Sequence, residues 1–171
     1  MRWVDNKRDR PVLDLTPALA DLMLDIASAL VVVFTVAMVA MAWGRTPEQI
    51  PTHFGIGGEP DAWGPRWLVA LGPVLALAFH IGFGIIYKYP HRFNYAWRIT
   101  VENAERQYRL ARSLIVWEKF WVVLIFTYIS WAQVHIATGR MDELSPVVMF
   151  ARVGGVLLTS AITLVLMYRA R

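Results

Sequence analysis

Four apolar runs of about twenty residues, the length an α-helix needs to cross hydrocarbon, limit what this chain can fold into more than any other feature. They extend from Leu22 to Trp43, Trp67 to Tyr87, Ser113 to Ala137 and Val147 to Tyr168. A lipid-embedded segment must satisfy its own backbone polar groups, which a helix does internally. Hydrophobic residues make up 57% of the chain and charged residues 18%, where a soluble domain carries about a quarter charged. The expected fold is therefore an all-α integral membrane protein. The 171 residues form a single domain of four transmembrane helices in an antiparallel bundle, embedded in a lipid bilayer.

The first run follows Arg2, Lys7, Arg8 and Arg10, and Ala40-Met41-Ala42 imitates a leader-peptidase site. The run is too long for a signal peptide, whose apolar core covers about 7 to 15 residues. Met1 to Asp21 turns mildly amphipathic through Val12, Leu13, Leu15 and Leu19, and is expected to lie along the membrane surface. Pro73 is tolerated in the first turns of the second span. The short polar linker Gly139 to Pro146 makes the third and fourth spans antiparallel neighbours. The connection 88–112 is long and basic, and Thr100 is the expected N-cap of a helix that continues into the third span.

The net charge of +4 does not point to nucleic acid, because the basic residues fall in the connections. One side holds four at the N-terminus, six in the second connection (Lys88, Arg92, Arg98, Arg106, Arg109, Arg112) and two at the C-terminus; the other holds Arg45, Arg66 and Arg140. The positive-inside rule then puts both termini and 88–112 in the cytoplasm and the first connection outside. Trp43, Trp63 and Trp67 agree as an outer aromatic belt, with Tyr87, Tyr89, Trp117 and Tyr168 as the inner one.

Charged side chains inside spans cost roughly 2.5–3.5 kcal/mol at a helix centre. Asp25, Glu118 and Lys119 share the inner third with His80, and Arg152 is in the fourth span. Two readings stand: a polar cluster at one depth, or a snorkelling Lys119, a headgroup-level Asp25 and a simply packed His80. Glu118 and Lys119 do not pair with each other, since adjacent helical residues point about 100° apart. Gly72, Ala76, His80 and Gly84 make one small-residue stripe, and Ala151, Gly155 and Thr159 another. They predict close packing between the second and fourth spans, or between two copies in a homo-oligomer.

The outer connection 50–66 reads IPTHFGIGGEPDAWGPR. Three prolines and four glycines exclude a regular helix or a plain strand, while Phe54, Ile56 and Trp63 supply apolar anchors, so an ordered loop is expected. His53, Glu59 and Asp61 are weak metal candidates, because no second His and no Cys stands beside them. A structural role is the stronger reading. Asp61 ties the loop to its backbone or to His53, Gly57 and Gly58 take positive φ, and Trp63 anchors the loop in the interface. The chain has no cysteine, catalytic triad order, phosphate loop or nucleotide fingerprint, so neither an enzyme nor a cofactor is expected.

The pattern formed by Pro51, His53, Phe54, Gly58, Asp61, Trp63 and Gly64 after a first span resembles the domain of unknown function of SdpI-like bacterial membrane proteins. The stretch from Phe93 to Arg112 is similar to the cytoplasmic connection of their four-span members. The resemblance implies a multi-pass protein of the bacterial cytoplasmic membrane. The namesake immunity protein, a longer chain, protects its producer from a secreted peptide toxin and holds a repressor at the membrane. The function read here is a binding protein of immunity or sensor type that recognises a ligand, such as a peptide, through the outer loop. The alternatives are a small transporter or channel subunit using the intramembrane polar residues, and an accessory subunit bound to a partner membrane protein.

Overall fold

The computed structural model describes residues 7–171. Four long helices, α1 (Leu19–Ala42), α2 (Leu71–Ile86), α3 (Ala104–Ala137) and α4 (Pro146–Arg169), make up most of it. With their flanking 3-10 turns, all four are long and apolar enough to span a membrane. A two-stranded antiparallel sheet, β1 (Gln49–Phe54) and β2 (Pro60–Pro65), joins α1 to α2.

The bundle is built around α3. Fourteen of its residues are buried against two in α4, and α1, α2 and α4 each pack on it. At 1.5 Å per residue its 34 residues reach ~51 Å, about 20 Å more than the hydrocarbon thickness. The helix expected before the third span therefore does run on into it without a break. Its start is later than Thr100. Thr100 and Asn103 instead close a turn, with Thr100 N–H donating to Asn103 Oδ1 at 2.9 Å and Asn103 N–H to Thr100 Oγ1 at 3.3 Å, and the helix begins at Ala104.

The two small-residue stripes meet α3 and not each other. A Cβ at Gly72 would strike the Ser130 side chain, and fully buried Ala76 packs with Val32, Val123 and Phe126. On α4, Gly155 lies against the face of the Trp121 ring, with no room for a Cβ. Gly84 and Gly154 have open space where a Cβ would point. Periodicity identified the contact faces correctly, but the shared partner is the third span. Hydroxyl groups complete the seams, with Thr35 of α1 bonded to Thr127 of α3 at 2.7 Å.

After a 3-10 turn at Lys7–Asp9 the N-terminal segment is an extended strap as far as α1; residues 1–6, Arg2 among them, fall outside the described residues. Pro11 and Pro17 disfavour helix for themselves and for the residues before them. Tyr108 donates to Pro11 O at 3.1 Å, Arg109 to Thr16 O at 3.2 Å and Arg112 to Leu15 O. Arg10 donates to His91 O and Phe93 O. Leu15 fills a small core with Ile99, Ala104, Tyr108 and Tyr95. Burial, with Tyr108 adding to it, raises the Tyr95 hydroxyl well above its ordinary range, so it remains a donor to Pro90 O at 3.0 Å. The strap and the connection thus cap the inner end of α3 together.

If α4 is held mainly by its glycine seam, Gly155→Leu forces Trp121 aside and costs about 1–3 kcal/mol, as overpacking does. Gly154→Leu, with the same composition change on an open face, leaves thermal unfolding in detergent unchanged. Equal melting of the two variants would remove the seam from the account.

Candidate functional site

The connection 50–66 is ordered, but as a β-hairpin, where the sequence argued against a strand. Its ladder is interrupted twice: Thr52 is extra on β1 between Pro51↔Trp63 and His53↔Ala62, and Asp61 is extra on β2 between Ala62 and Pro60↔Phe54. Such bulges let a strand absorb prolines and re-aim a side chain. Here the bulge brings Asp61 Oδ1 to 2.6 Å from His53 Nδ1, both side chains being exposed. Asp61 therefore clips the two strands through His53, one of the two ties expected of it.

Other motif residues fasten the hairpin to the bundle. Ile50 is fully buried against Val39, Ala42, Val69 and Val134, and buried Pro51 accepts a hydrogen bond from Gln133 of α3 at 3.0 Å. Phe54 packs beside Tyr128, Ala132 and Leu144. Gly64 is pressed between Thr52 and Leu68, where a Cβ would come within 2.9 Å of Thr52 Cγ2. At the tip, Gly58 alone of the expected pair takes a positive φ, 93°. Its carbonyl accepts from Leu144 N–H at 2.8 Å, and a Cβ there would overlap Leu144 O. Trp63 is half exposed on β2.

The metal candidates do not converge. The Glu59 carboxylate folds back over Gly55 and Gly57, and among the described residues no three His, Asp or Glu side chains are grouped to hold an ion.

Between the hairpin and the outer ends of α3 and α4 there is a cavity of about 400 Å³. One wall is Thr52, His53, Phe54 and Ile56; the other is Ile129, Leu144, Met149 and Phe150. Hydrocarbon lines nearly all of it, and His53 is the sole ionisable side chain among the lining residues. Ile56, 88% exposed, marks its lip. The second wall was not anticipated, because the linker and the start of α4 read as a plain connector and a plain span. Tyr128 secures that wall, its hydroxyl accepting from Ser145 N–H at 2.9 Å and its ring lying under Arg152, 4.5 Å from the guanidinium carbon. Arg152 also donates to Val148 O, so it closes on its own helix.

The intramembrane charges divide between two faces of α3. Lys119, its side chain only 3% exposed, forms an ion pair with Asp25 of α1, which corrects the snorkelling reading. His80 of α2 is within electrostatic reach of both, and its Nδ1 is buried with no described residue bonding it. Glu118 does not join them. It accepts from Thr159 at 3.0 Å and Ser160 at 2.9 Å, both on α4. The 100° between neighbouring helical residues separates the two sets.

Set against known proteins, residues 30–77 match the family described as a domain of unknown function, DUF1648. That stretch runs from the middle of α1 through the hairpin into α2. An uncharacterised protein of Archaeoglobus fulgidus is 33% identical over 62 residues, which is 32% of this chain and 34% of that protein. The chain thus matches about a third of that relative's length. No solved structure matches. The chain is thus similar, over this stretch, to a family of unknown function, and the matched region holds the hairpin and His53–Asp61.

Because Lys119 and Asp25 neutralise each other inside the bundle, losing one partner costs more than losing both. Lys119→Met is expected to lower the unfolding midpoint in detergent clearly, and Asp25→Leu added to it to recover at least half of the loss. Additive losses in this double-mutant cycle would show that the two charges are not coupled.

Proposed function

We propose that this chain is a membrane binding protein of sensor or immunity type, in which the outer hairpin and the α3–α4 linker recognise an external ligand. The observation that carries the reading is the apolar cavity whose nearer wall is built from the motif segment 52–58. Largely preformed, hydrocarbon-lined clefts with one or two polar groups are what ligand sites commonly look like. The motif shared with SdpI-like proteins supports membership of that group and the cytoplasmic membrane of a bacterium as the location. The transporter alternative is less well supported, since Asp25–Lys119 and Glu118–Thr159–Ser160 face different neighbours and do not share one passage. An accessory-subunit role would use the exposed flank of α4 to meet a partner.

Two measurements test the reading. In native mass spectrometry of protein extracted from its own membrane, a retained small molecule is expected on the wild type. It is expected to be lost from Met149→Trp and from Ile129→Trp, which fill the cavity from opposite walls. Retention unaffected by either filling, or none in any form, would end the cavity reading.

The orientation rests on the excess of basic residues at the inner end. The chain has no native cysteine, so Ile56→Cys and Asp142→Cys should react with an impermeant thiol reagent in intact cells and Asn94→Cys should not. Outside labelling of position 94 would reverse the topology.

A further inference from the structure

We infer that the occupant of the hairpin cavity is a small cationic amphiphile, a single alkyl or aryl chain bearing an ammonium group, seated with its chain between β1 and α4 and its charge at the mouth. This rests on the cavity reading above and names the ligand's chemistry.

Size and lining set the apolar part. A volume of about 400 Å³ lies at the lower end of small-ligand sites, roughly 300–1,000 Å³, and gives a single chain room that a two-chain phospholipid exceeds. Phe54, Ile129, Met149 and Phe150 offer that chain only hydrocarbon and aromatic contact.

Charge sets the other part. Glu59, Asp61, Asp142 and Glu143 are all exposed, and each is within two residues of a lining residue in the chain or bonded to one. Glu59 lies over Gly55, Asp61 holds His53, and Asp142 and Glu143 precede Leu144. Among the described residues Arg140 is the one exposed cation of the same linker. Arg66 is occupied elsewhere, stacked on Trp43 at 5.0 Å and donating to Thr46 O. Arg152, stacked on the Tyr128 ring and donating to Val148 O behind the second wall, keeps its charge and offsets one carboxylate. Four carboxylates, one of them already bonded to His53, against the guanidiniums of Arg140 and Arg152 leave the surroundings of this low-dielectric cavity net negative. An ammonium is attracted there, and a phosphate or fatty carboxylate is repelled.

The test is calorimetric titration of protein in nanodiscs of zwitterionic lipid, corrected with empty discs, using octylammonium, octanol and octanoate as probes. Octylammonium should bind saturably and at least about tenfold more tightly than the other two, and Met149→Trp should abolish the saturable phase. A variant carrying Glu59→Gln, Asp142→Asn and Glu143→Gln should lose about tenfold in affinity and most of the salt dependence, while its thermal unfolding stays as in wild type.

Octanol binding as tightly as octylammonium, with the triple variant unchanged, would overturn the charge inference and assign the seat to neutral chains. A short Lys- and Leu-containing peptide binding the same Met149-dependent site at least about tenfold more tightly than octylammonium would replace the amphiphile with a peptide. Binding that persists in Met149→Trp would put the ligand elsewhere. These failures are distinct from failure of the cavity reading. A Met149-dependent native ligand that proves neutral or anionic keeps the cavity as the recognition site and removes only the positive charge assigned here.

Discussion

Everything else in this structure depends on α3 being the one helix that all the others touch. Inside hydrocarbon no hydrophobic drive holds helices together, so association relies on close contact and on polar groups that would otherwise be unsatisfied. This chain places both on α3. The α2 and α4 backbones approach through Gly72 and Gly155, α1 is joined through the Thr35–Thr127 bond and the Asp25–Lys119 pair, and α4 through Glu118 with two hydroxyls. The outer hairpin uses the same support, through Gln133 and Pro51.

The prolines and glycines of the hairpin have separate mechanical uses. Pro51 and Ile50 bury the root of β1, Gly64 lets the strands close over Leu68, and Gly58 supplies the backbone geometry that meets Leu144. His53 and Asp61 form an exposed pair, and His53 lines the cavity. The tightest positions hold the shape and the exposed ones are free of that task.

How legible this was depended on the range of the interaction. The spans follow from local hydropathy, and the continuation of α3 beyond the third span followed from its charge order, while the cap read at Thr100 closes a turn before the helix. The faces of α2 and α4 followed from spacing at four, but their partner did not, because periodicity gives a direction and not what lies in it. The hairpin was hidden by Pro51, Pro60 and Pro65, which argue against strand until two bulges relieve the ladder. The strap was hidden because Val12, Leu13 and Leu15 look amphipathic, although Pro11 and Pro17 keep them extended. The cavity needed a second wall from residues about ninety positions downstream, which no local pattern announces.

One bond has a further consequence. The Leu144 N–H to Gly58 O contact connects a segment inserted between the first two spans to the pivot from which α4 departs. At the opposite end α4 is tethered again, where the buried Gln107 amide donates to Met167 O. Between these two ties α4 is seated on α3 through Gly155, Thr159 and Ser160, so one neighbour holds it along its length. The start of α4 is therefore placed by the hairpin tip, and the helix is braced on α3 further along by Glu118 and Gln107.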